Sequence, residues 1–219
     1  QAPDLISMEK SHCYNPFVYL RNDNDIQRPV TNLFKSTTPK GSQSNDPFWD
    51  TAASMLLLAL MYSLHYAAPE EEQNFDMVME MLRAAAIEDE EDNRPSPLDN
   101  LFADLEMDNP DHIALKYYRS YHSGSAKTLK SIQITLAARL EKFNLESLAA
   151  LTSADELDLA SMGEKKTALF ALIPDNDSSF NFLVSILYTQ LFQQLFYSAD
   201  HIHGGSLPYP VHFLSDEIA

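Results

Sequence analysis

The sequence is short of cysteine, glycine and basic residues, and each shortage excludes something. A single cysteine, Cys13, excludes an internal disulfide and suits a reducing compartment. Five glycines in 219 residues, with no low-complexity stretch, argue against general disorder. Lys and Arg number 15 against 32 Asp and Glu, a net charge of −17, and acidity of that kind repels a phosphate backbone. The opening residues, QAPDLISMEK, have neither the basic start nor the apolar core of a secretory signal.

A glycine-rich phosphate loop, G-x-x-x-x-G-K-[ST], is also missing. The nearest look-alike, YHSGSAKT at 121–128, keeps Lys127 and Thr128 but has Tyr121 and Ala126 where both glycines should stand. TTPKGS at 37–42 has its lysine and glycine in the wrong order. Cys13 and the scattered histidines form no nucleophile–base pattern. His201 and His203 have no further ligands at metal-binding spacing.

Two stretches, 51–68 and 178–199, contain no Asp, Glu, Lys or Arg. Each is close to the ~20 residues of a membrane span. The first includes Ser54, Ser63 and His65 and is bracketed by Asp50 and Glu70. The second holds Asn181, Gln190, Gln193 and Gln194. Both read as buried helices of a globular fold.

Helix starts recur through the middle of the chain. Asp46 with Pro47 and Asp50, Ser96 with Pro97 and Asp99, and Asn109 with Pro110 each pair a cap with a proline at the first helical position. Ser125 opens a segment in which Leu129, Ile132, Leu136, Leu140 and Phe143 follow at three- and four-residue spacing, one apolar stripe. Asn144 opens another short helix. Met77, Met79 and Met81 fall in an amphipathic helix as core residues. No strand is predicted between about Asp46 and Leu151.

The end of the chain differs. The run Ala168–Ile173, cut off by Pro174, reads as a buried parallel strand. A long apolar helix over 178–198 follows, then GGSLPYP and a second strand over 211–215. Strand, helix and strand make one βαβ unit, with the two strands expected to pair and the helix covering one face. The closing VHFLSDE fits a Walker B pattern. A strand would hold Asp216 where it can position Mg²⁺, and Glu217 could orient and deprotonate the attacking water.

Charge is distributed in blocks. Residues 70–112 hold fifteen acids against Arg83 and Arg94, and residues 113–147 hold six bases against two acids. The acidic block would attract a basic protein segment or serve as a solvated face. Lys116, Arg119, Lys127 and Lys130 lie near Tyr117, Tyr118 and Tyr121, a pattern that can bind single strands. The cluster is small in an acidic chain, and a surface helix end is the plainer reading.

Taken together, SHCYNPFVYL (11–20), SNDPFWDTAASMLLLALMYSL (44–64), SGSAKTLKSIQITLAARLEKF (123–143), the segment 165–196 and PVHFLSDEIA (210–219) resemble the conjugative coupling proteins of type IV secretion systems, in the branch of Gram-positive conjugative elements. The resemblance implies a mainly α chain: an all-α helical domain, 46–160, flanked by partial RecA-like α/β motor segments, 1–45 and 161–219, with short parallel β pieces. It implies a parent protein that uses ATP and Mg²⁺, is anchored at the membrane with this segment on the cytoplasmic side, and works as a ring, a hexamer. Its implied partners are relaxase and relaxosome proteins, type IV secretion channel components, and DNA. Asp216 and Glu217 match the family's metal-positioning and water-activating acids. Ile218 departs from the phenylalanine that often follows. Without Walker A, this chain alone is expected to bind no nucleotide and hydrolyse none. For the all-α domain, three roles are implied: docking of relaxase or accessory protein on acids such as Glu70, Glu71, Glu72, Glu88, Asp89, Glu90, Glu91 and Asp92; DNA contact through 116–142; or a structural insert without catalytic or DNA role.

Overall fold

In the computed structural model the described residues are 2–38, 47–86, 94–174 and 179–214. They form eight α-helices: α1 (Asp23–Thr37), α2 (Phe48–Ala67), α3 (Phe75–Ala84), α4 (Pro97–Asp108), α5 (Ile113–His122), α6 (Ala126–Arg139), α7 (Glu146–Ser153) and α8 (Asn181–Tyr197). The fold is mainly α, as the helix signals predict.

The uncharged stretch 51–68 becomes α2, the central helix. It is apolar around most of its circumference, so it is covered on most sides. Leu56, Leu57, Leu60 and Met61 are fully buried, with α1, α5, α6 and α3 packed around it. No described helix is long and apolar enough to cross a membrane. The stripe of α6 faces inward as its spacing requires: Leu129, Ile132, Leu136, Leu140 and Phe143 are all buried. Phe143 lies in a 3-10 turn after the helix and stacks on Phe75 of α3. Met79 and Met81 are buried, and Met77 packs at the edge of the core.

Two helix starts hold and two shift. Ser96 and Asp99 form a reciprocal capping box with Pro97 at the first position, and Ser125 caps α6. Asn109–Pro110, by contrast, is a turn. Asn109 closes α4 by donating its N–H to Leu105 O, and the N–H of His112 donates to Asn109 O at 3.0 Å, with Pro110 at the second turn position. His112 is the cap of α5, its Nδ1 accepting from the N–H of Ala114. Similarly, Asn144 ends a 3-10 turn, and α7 starts two residues later without a side-chain cap. The predicted cap Asp46 lies outside the described residues.

The expected βαβ unit is replaced. Among the described residues the only β pairing is two isolated bridges. Leu172, in the predicted strand 168–173, pairs in parallel with the amino-terminal segment and not with the described residues 211–214, and the run is not the buried strand expected, since Phe170 and Leu172 are 62% and 42% exposed at the surface. The N–H of Leu5 donates to Leu172 O, and the N–H of Leu172 donates to Pro3 O, both at 3.0 Å. Residues 211–214 form no strand, and Leu214 is 98% exposed. A parallel strand is stable only between neighbours and under covering layers, and no described segment pairs with 211–214. The segment folds back instead: the N–H of Tyr209 donates to Gly163 O, and Phe213 stacks on Phe192 of α8.

The segment 11–20 is built into the core. The hydroxyl of Tyr14, a buried residue, donates to Gln190 Oε1 of α8, and Gln190 Nε2 donates to Pro16 O at 2.9 Å. The Tyr19 hydroxyl donates to Asp155 Oδ2 in the loop after α7. Burial raises the Asp155 carboxyl above its ordinary range, although bonds from Tyr19 and three backbone N–H groups pull the other way. Each buried polar group here has its partner, which keeps the network favourable.

Candidate functional site

The sequence-predicted residues divide into two groups. Asp216 and Glu217 lie outside the described residues, as do Glu88, Asp89, Glu90, Glu91 and Asp92. Glu70, Glu71 and Glu72 form a single 3-10 turn between α2 and α3, and all three are exposed. Among the described residues, no cation lies within ion-pair distance of any of them.

ATP with Mg²⁺ is the group the resemblance implies, and Asp216 and Glu217, the acids that would hold the metal, lie outside the described residues. The segment that should hold the two acids on a rigid strand end, 211–214, is exposed and unpaired in any sheet. No group of three or more His, Cys, Asp or Glu side chains among the described residues converges as metal ligands.

A large concavity opens elsewhere, where α3 ends, α4 and α6 begin and α5 passes. Its volume is about 940 Å³, at the top of the range of small-ligand clefts. Leu115 and Leu129 lie behind it, with Phe102 and Tyr118 stacked flat at 3.8 Å between ring centres. Arg83, Arg94 and Arg119 stand on its walls.

Asp99 is the hub of this cleft. It accepts from the Ser96 N–H (2.6 Å) and Ser96 Oγ (2.7 Å), from the Tyr118 hydroxyl, and from His122 Nε2 at 2.9 Å. Burial alone would raise its carboxyl. The bonds from Tyr118 and Ser96 and the charge of His122 outweigh burial and hold it below the usual carboxylate range. Burial first, then the bond to Asp99, pushes the Tyr118 hydroxyl far above its ordinary value. Tyr121 is pushed up to about 12, mainly by burial. The capping box was legible in Ser96-Pro97-x-Asp99. The contribution of α5 to the same carboxylate was not, because Tyr118 and His122 are 19 and 23 residues further on.

The basic stretch is not one surface. Tyr118 and Tyr121 point into the core, so neither ring offers a base a stacking face. Arg139, only 13% exposed, is engaged with Asp50. Arg119 pairs with Glu106 at the cleft, both exposed. Three acids of the acidic block are likewise engaged: Asp99 in the cap, Glu106 with Arg119, and Glu80 with Arg83.

No curated protein matches the chain. The family described as type IV secretory system conjugative DNA transfer matches it across residues 3–219, from the amino-terminal segment paired with Leu172 through all eight helices to the closing acids. The chain belongs to that family.

Proposed function

We propose that the helical body receives the transfer substrate, a relaxase or another relaxosome protein, at the type IV secretion channel, and that this chain by itself does not hydrolyse ATP. Membership of the family ties the chain to conjugative DNA transfer by type IV secretion. The observation that carries the recruitment reading is the exposed turn Glu70–Glu72, three carboxylates with no cation paired to them among the described residues. Such a turn attracts a basic protein segment and repels phosphate. The burial of Tyr118 and Tyr121 and the engagement of Arg139 weigh against DNA docking along 116–142. In this reading Asp216 and Glu217 belong to the motor of a longer protein, which is membrane-anchored, assembles as a ring and uses ATP with Mg²⁺.

A pull-down from cells carrying the conjugative element tests it, with this chain as bait, with and without nuclease, at low and moderate salt. The expected result is a relaxase or accessory protein retained after nuclease and lost when Glu70, Glu71 and Glu72 are replaced by lysine. Recovery of nucleic acid alone, released steeply by salt, would overturn the reading in favour of DNA contact.

A further inference from the structure

We draw no further inference here: the strongest candidate, the exposed aromatic stripe of Tyr188, Phe192 and Phe196 on α8, carries nothing because no feature of the structure shows what covers it beyond the stack of Phe213 on Phe192.

Discussion

Nη2 of Arg139, at the end of α6, lies 2.8 Å from both carboxylate oxygens of Asp50 in the first turn of α2. Nη1 of the same guanidinium donates to Thr37 O at the end of α1, and the ring of Phe34 lies beneath it. One side chain therefore ties three helices together. Asp50→Asn leaves a mostly buried guanidinium without its counter-charge, at a cost of about 2 kcal/mol. For a chain of this size that lowers the melting temperature by about 4–8 °C. Arg119→Gln, which breaks an exposed pair, is expected to stay within about 1 kcal/mol of the parent. Thermal melts of the two variants check the contrast, and equal shifts would contradict it.

His112 sets a pH dependence. Its Nδ1 accepts from the Ala114 N–H, and its Nε2 is enclosed with no hydrogen-bond partner. Burial holds its pKa below the ordinary histidine value. His65 is lowered too, by burial, with Asp23 and Asp25 opposing. The unfolded chain then takes up protons at a higher pH than the folded one. The stabilisation is complete above about pH 6.5 and is lost as pH falls through the window between that value and the depressed folded values. His112→Asn keeps an acceptor for Ala114 and removes one titrating group. Urea midpoints at about pH 7.5 and about pH 5.5 should move less in this variant than in the parent. Identical movement would mean that His112 is not held neutral.

Gly163 carries φ +83°, and a Cβ there would come within 2.9 Å of Leu207 Cδ1. Its carbonyl holds the N–H of Tyr209. Gly163→Ala is expected to cost about 1–2 kcal/mol through the left-handed backbone. Because Leu207 must also shift, segment 205–213 should loosen from α8. Hydrogen exchange faster than the parent's along that segment is the expected signature. Unchanged exchange with an unchanged melting temperature would show that the turn relaxes freely.

With ATP and Mg²⁺, the purified chain is expected to release no phosphate above buffer. Neither the look-alike at 121–128 nor the segment 37–42 supplies a phosphate cradle. Residues 121–128 end α5 and begin α6, with Tyr121 buried where a glycine would be needed. Turnover that requires Mg²⁺ and survives repurification would refute this.

The helices were legible where the signal was local. Ser96-Pro97-x-Asp99 and Ser125 start helices because a cap and its acceptor lie within one turn. Asn109–Pro110 misled for a related reason: proline at the second position serves a turn as well as a helix start, and only the bond from His112 to Asn109 decides between them. The strand at 168–173 was half legible. Its apolar run was read as buried, but Phe170 and Leu172 are 62% and 42% exposed, and the partner at 3–5 lies far away in sequence. The cleft was illegible for the same reason, since its arginines come from three separate segments.

Apolar spacing repeats every turn, so the sequence alone determined the helical class, the buried faces of α2 and α6, and the lack of a phosphate loop in this chain. Charge carries no such period. Whether an acid caps a helix, pairs with arginine or faces solvent depends on which side chains the packing brings within a few ångströms. Tertiary structure therefore decided that Asp50 and Asp99 are engaged, that Glu70–Glu72 are exposed without a paired cation among the described residues, and that Arg83, Arg94 and Arg119 share one groove.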